Sequence, residues 1–307
     1  MRSSSGFPTG AIEGVNLVAS VSVAAALCAA FLFALGAHVQ HLGLTSHNTR
    51  QATVVIVGTT AALHWLVAPF AISPTYWWTS ATLFFLIAGL VRPTLSITFW
   101  VEGINRLGPT LNAGFSASSP IFAAAFAILL LNEPLSSQIA LGTAGVIAGI
   151  LVSSVRTTNI AQTWPLWAVS LPLAAAACRA AAHAITKLGF DVLSSPIFAG
   201  LVSTSLAFVL LLGRFIVSGE KFDSPPKQIG WFVVSGMTSA GGVFLLNLAL
   251  QHGQVLTVSP IIASSPVFAL LLAIFVFRRE VLTWRTVVTI SLIVLGVILV
   301  VTDRSVS

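Results

Sequence analysis

The sequence predicts an all-α membrane protein of ten transmembrane helices arranged as two five-helix inverted repeats. Three observations predict it. The 307 residues are 56% hydrophobic and only 7% charged, against about 25% charged in soluble domains, and their mean hydropathy is +0.99. The apolar residues form long unbroken runs instead of alternating, which selects helices over barrel strands in a solvent that satisfies no backbone group. Third, Ala-Ser-Ser-Pro-Ile-Phe-Ala at 117–123 returns as Ala-Ser-Ser-Pro-Val-Phe-Ala at 263–269, an offset of 146 residues.

A hydrocarbon core about 30 Å thick takes about 20 helical residues to cross. The apolar runs supply ten candidates, at 15–42, 51–72, 77–105, 109–131, 136–155, 165–188, 195–217, 229–251, 254–277 and 282–301. The first is too long for the core of a signal peptide and reads as a retained span. Arg92-Pro93 interrupts the third, Ser119-Pro120 the fourth and Ser265-Pro266 the ninth. An alanine-rich stretch, Ala174–Ala184, fills the middle of the sixth. Connections are short, the longest polar ones being 157–163 and 218–228, so no room remains for a soluble domain.

The repeat extends past the seven-residue match. Leu42-Gly43 pairs with Leu188-Gly189 and, after a one-residue insertion, Glu133 pairs with Glu280, Leu135 with Leu282 and Gly149 with Gly296. The halves are residues 1–156 and 157–307, within one integral membrane domain. An odd number of spans per half makes the second half enter the bilayer in the opposite sense and puts both termini on one side.

Composition also excludes. A net charge of +6 points away from nucleic acid, because the Lys and Arg residues are scattered between apolar runs. Cys28 and Cys178 lie in apolar spans, where a thiol behaves as a small hydrophobe, and no metal-ligand spacing or cofactor motif occurs. There is no Walker sequence, no Gly-x-Ser-x-Gly and no His-Glu-x-x-His. A self-contained ATP-driven pump is excluded, and the chain is not expected to be an enzyme.

The residues that could carry chemistry are polar groups at membrane depth. Arg92 and Arg179 lie near the middle of spans three and six, where a charge costs about 2.5–3.5 kcal/mol on insertion scales and must face the bundle or a watery cavity. His183 is one turn beyond Arg179 on the same face. The repeat counterparts of Arg179 and His183 are Phe33 and Ala37, so the pair belongs to one half only. Trp100 and Phe33 are candidate cavity walls. Asn112, Ser119, Asn247 and Ser265 supply polar content near the paired helix breaks, the best pointer to a binding site between repeats. Glu102, His38, His64 and His183 are the proton-carrier candidates; for Glu102 an interfacial i,i+4 pair with Arg106 is the competing reading. Glu133 and Glu280 read as N-terminal caps of spans five and ten.

Gly108-Pro109, Ser119-Pro120-Ile121-Phe122, Leu131-Asn132-Glu133-Pro134-Leu135, Gly142 and Ala148-Gly149, with Ser259-Pro260, Ser265-Pro266-Val267-Phe268, Glu280-Val281-Leu282 and Leu295-Gly296 in the second half, resemble the EamA-type members of the drug/metabolite transporter superfamily along essentially the whole chain. The resemblance implies a multi-pass protein of the bacterial plasma (inner) membrane with cytoplasmic termini. Under that orientation the outer side carries most of the Lys and Arg, the reverse of the usual positive-inside bias. The expected activity is secondary active transport, more readily export than import, of a small organic metabolite by alternating access. Amino-acid-like or other carboxylate-bearing solutes fit Arg92 and Arg179, with protons as the candidate coupling ion. The expected partners are that solute and the lipid bilayer, with the chain a monomer or homodimer. The alternatives are a multidrug-type efflux permease, which wants a buried carboxylate, and an intramembrane enzyme acting on lipid-linked substrates, which wants clustered carboxylates or a nucleophile–base pair.

Overall fold

The computed structural model describes residues 9–45, 48–107, 109–154, 165–277 and 283–303, and their regular structure is entirely helical. Gly108, Arg278, Arg279, Glu280, Val281 and Leu282 of the sequence motifs lie outside the described residues, as do Arg2, Arg156 and Arg304. Among the described residues nine helical segments are long and apolar enough to cross a membrane; the remaining expected span, Ser137–Ser153, is a shorter apolar helix. The ten crossings read from the sequence are thus, among the described residues, nine plus one shorter helix.

The first two spans are α1 (Thr9–Gly43) and α2 (Thr49–Ala71). The third is broken into α3 (Ala81–Gly89) and α4 (Ser96–Leu107) by a widened turn, Leu90–Leu95, in which Arg92 is extended at φ −134° and ψ 125°. Pro93 accounts for the break, since it lacks an N–H and disfavours helical geometry in the residue before it. The fourth span is α5 (Pro109–Ser116) and α6 (Ser119–Leu131), and the fifth is α7 (Ser137–Ser154). The second half supplies α8 (Ser170–Val192), α9 (Pro196–Val217), α10 (Pro226–His252), α11 (Val255–Ala263), α12 (Ser265–Leu271) and α13 (Trp284–Val301).

The two Ser-Pro breaks are built alike. Ser118 Oγ donates to the Phe115 carbonyl at 2.7 Å, and its counterpart Ser264 Oγ donates to the Ile261 carbonyl at 2.6 Å. Each hydroxyl bonds the same carbonyl as its own backbone N–H, two residues before the proline. Asn132 closes α6 in the left-handed region at φ 52°, a conformation asparagine tolerates. Ser136 Oγ accepts the Ile139 N–H at 3.0 Å and starts α7, and Ser195 Oγ accepts the Phe198 N–H at 3.4 Å and starts α9.

The halves exchange their first helices. The α1 helix packs against α10, α11 and α12 of the second half, whereas α8 packs against α3, α4, α5 and α6 of the first. Alanines make these contacts close: Ala25, Ala26, Ala29 and Ala30 on α1, and Ala175, Ala176, Ala180 and Ala184 on α8, are buried. Spans two and seven pack on each other as α2 and α9, and spans five and ten as α7 and α13. The halves run in opposite senses. Beyond the end of α1, Asn48 bonds Gln228 at the start of α10, while Lys187 near the end of α8 bonds carbonyls at the finish of α10. Outward-facing side chains such as Trp78 and Phe70 are 92% and 89% exposed, apolar surface that suits lipid and not water.

The α7–α13 crossing depends on paired glycines. A Cβ on Gly142 would stand 2.6 Å from the Gly296 carbonyl oxygen, well inside contact distance. Gly142→Val should therefore force the helices apart and cost about 1–3 kcal/mol, seen as a lowered unfolding temperature in detergent. An unchanged melting curve would mean that α7 and α13 do not meet there.

Candidate functional site

The chain breaks in spans three, four and nine surround the middle of the bundle, and two connected chambers lie there. One, of about 330 Å³, is bounded by the two Ser-Pro breaks at Ser119-Pro120 and Ser265-Pro266, with Trp100, Arg179 and His183. The other, of about 210 Å³, extends toward α2, α9 and α10 and includes Thr60, Thr204 and Asn247. Phe33, Arg92 and His183 line both. Among the described residues no Asp or Glu lines either chamber.

Each arginine rests on an aromatic ring. The Arg92 guanidinium carbon is 5.7 Å from the centroid of Phe33, and that of Arg179 is 5.5 Å from the centroid of Trp100. These are cation–π distances. Phe33 comes from α1 and Arg92 from span three, so the contact is internal to the first half; Trp100 and Arg179 join the two halves. Among the described residues neither guanidinium makes a hydrogen bond or an ion pair, so their donors are directed at the chambers. His183 Nδ1 lies 3.1 Å from Ser259 Oγ on α11. Asn247 donates from its amide to the Pro196 carbonyl at 3.2 Å and still borders the smaller chamber.

The remaining sequence candidates sit elsewhere. Asn112 is completely buried where Gly103 leaves room for it, and its amide atoms have no partner among the described residues; it lines neither chamber. His38 bonds through Nε2 to the Ala269 carbonyl at 2.8 Å and stacks on Phe277 at 4.8 Å, tying α1 to the ninth span. The Nδ1 of His64 is 2.8 Å from the Thr60 carbonyl of its own helix, and its ring packs on Gly200 beside a separate apolar pocket. Glu102 pairs with Arg106 at 2.7 Å, with both side chains well exposed. Of the titratable candidates named from sequence, His183 is the one that borders the chambers.

Glu133 departs from its expected role. Its two carboxylate oxygens accept the N–H groups of Val255 and Leu256, each at 2.8 Å, and so cap α11 in the other half rather than α7. Ser136 already occupies the α7 cap, which frees the glutamate to reach across. Burial raises its carboxyl above the usual carboxylate range, opposed by those two N–H groups and by Lys187. From α8, the Lys187 ammonium donates to the carbonyls of Leu250 and Gly253, both at 2.9 Å. One turn, between α10 and α11, is thus held by an anion at a helix start and a cation at a helix end, each matching the local dipole. The Ser136 hydroxyl and the Asp303 carboxylate form a further bond at this same, terminal end.

The opposite end is hollow. A vestibule of about 510 Å³ is lined by Arg50, Thr98, Glu102, Arg214 and Glu220, among others, and shares Ile97 with the smaller chamber. Arg50 and Glu220 pair across it, and Arg214 Nη1 donates to Thr98 Oγ1 at 2.7 Å. Sequence spacing held no signal for these contacts, which join residues more than a hundred positions apart. The signal for Lys187 was present, since it follows His183 by four residues on one helix face.

Paired inverted bundles around a central polar chamber define a repeat-built membrane transporter fold. The chain belongs to the EamA-like transporter family, whose profile matches it twice, over residues 20–155 and 166–302. Twenty-nine solved chains also match. One, described only as "Crystal structure of protein", superposes with a TM-score of 0.77 over 91% of this chain and 96% of its own, at 15% sequence identity, a likeness of fold alone. No curated protein matches the chain.

Replacing Glu133 by Ala leaves two buried N–H groups of α11 without an acceptor, at a cost of about 1–3 kcal/mol each. The expected result is a clear fall in unfolding temperature, with Glu133→Gln intermediate because it keeps one oxygen. Equal stability of all three proteins would remove the cross-half cap from the fold's supports.

Proposed function

We propose that the protein is a secondary active transporter of small carboxylate-bearing organic metabolites in the plasma (inner) membrane, working by alternating access. One observation carries this reading. Two guanidiniums face the central chambers with no hydrogen-bond partner among the described residues, each backed by an aromatic face. A guanidinium holds a carboxylate through two parallel N–H···O bonds, and the ring behind it fixes its plane. A charge left at this depth is costly unless it has a function or a counter-ion, and a solute carboxylate supplies both. Lipophilic-cation efflux would want the opposite lining, an acid in the chamber.

Access alternates about the helix pairs that lie on the pseudo-two-fold axis, α2 with α9 and α7 with α13. In this conformation the terminal end is tied by Glu133 and Lys187, and the vestibule leads from the other end toward Arg92 past Ile97. Release of the α10–α11 turn opens the terminal side. His183 is the proton-carrying candidate nearest the solute, with Glu102, His38 and His64 acting from outside the chamber.

Purified protein in liposomes tests the reading: a carboxylate solute should accumulate against a pH or counter-solute gradient and be recovered chemically unchanged. Arg179→Ala and Arg92→Ala should each lower that flux about a hundredfold while the protein stays monodisperse, because a charge-assisted hydrogen bond contributes about 1.5–3 kcal/mol. Flux that survives both substitutions would remove the arginines from the site. Recovery of altered solute would favour an intramembrane enzyme.

A further inference from the structure

We infer that the solute carries two negative charges, as a short dicarboxylate or a phosphate monoester does. The inference rests on the transport reading above and narrows it. Arg92 and Arg179 border one chamber of about 330 Å³, and both remain protonated at physiological pH. Two like charges in one poorly screened space repel, and a solute with two negative charges neutralises both.

No described side chain supplies those negative charges. Each of the six carboxylates whose side chains are described is placed elsewhere. Glu102 pairs with Arg106 and Glu220 with Arg50. Glu133 caps α11, Asp223 accepts from Gln51, Asp303 accepts from Ser136, and Asp191 is exposed beyond the chamber.

The same chamber is poorly suited to a zwitterion. An ammonium group would need a carboxylate or a free aromatic face, and the Phe33 and Trp100 faces already hold guanidiniums. What remains for the body of the solute is small and mostly apolar, with the hydroxyls of Ser119, Ser259 and Ser265 as neutral hydrogen-bonding groups. The site therefore reads as two cationic forks lining one small, otherwise neutral chamber. A solute with an anion at each end fills it.

The test is equilibrium binding to the full-length protein in detergent, using radiolabelled succinate displaced by succinamate, glycerol 3-phosphate, leucine and tetraphenylphosphonium. Succinamate has the shape of succinate with one charge fewer. Succinate should bind at least tenfold tighter than succinamate, and glycerol 3-phosphate should also outcompete succinamate. Whichever of the two dianions is tighter identifies the anion as carboxylate or phosphate. In Arg92→Gln and Arg179→Gln the tenfold preference should fall below threefold, while Arg92→Lys, which keeps the charge, should retain it. The comparison in the unaltered protein decides the matter even where a variant fails to fold. Equal binding of succinate and succinamate, or tighter binding of leucine, overturns the two-charge inference and leaves the carboxylate reading intact. Binding of tetraphenylphosphonium with none of the anions overturns both.

Discussion

Lipid offers no partner to a polar group, and every other feature of this molecule follows from that constraint. Backbone donors and acceptors must be satisfied within a helix or by a neighbouring one. Where the chain stops being helical, the freed groups need a polar interior, and the three breaks at Arg92, Ser119 and Ser265 turn toward one. The widened turn at Arg92 and the Ser-Pro interruptions at 119–120 and 265–266 all border the central chambers. The breaks and the cavity are one device: an interrupted helix needs a polar interior, and a polar interior needs interrupted helices to line it.

Helix exchange decides how that interior is enclosed. If α1 and α8 stayed with their own halves, each half would be a separate bundle and the space between them a seam. Their exchange instead makes each half complete the wall of the other. Trp100 of the first half then backs Arg179 of the second, and Glu133 of the first reaches the helix start of α11 in the second. The buried alanines of α1 and α8 permit the close approach. Paired glycines do the same where α7 meets α13, at a place where backbone touches backbone and no side chain could be accommodated.

The spans were legible from the sequence because the bilayer imposes a length and a composition on each of them, and the breaks were legible because proline cannot be accommodated otherwise. Arg92, Arg179 and His183 could be assigned to the interior for a related reason: the alternative was lipid. The same logic did not separate Asn247, which borders a chamber, from Asn112, His38 and His64, which face neighbouring helices. Both placements keep a polar side chain out of lipid, so hydropathy and spacing are silent between them. Glu133 was legible as a cap and illegible as to which helix it caps. That choice is a contact across the halves, between residues 122 and 123 positions apart, for which neither half's own pattern holds a trace.

The asymmetry of the halves falls on the residues that line the chambers. Pseudo-symmetry alone would give each chamber element a counterpart, yet the repeat equivalent of Arg179 is Phe33, the very ring on which Arg92 lies. One repeat position thus holds a cation in the second half and the support of a different cation in the first. Duplication provided two equivalent places near the axis, and divergence filled one with charge and the other with a π face. The consequence is two guanidiniums held by different means, one against a ring from its own half and one against a ring from the other. Because α1 packs on the second half and α8 on the first, a movement of the two packed bodies would part Phe33 from Arg92 and leave Trp100 with Arg179. In the proposed cycle Arg92 is therefore the cation whose aromatic support changes with the side the chamber faces.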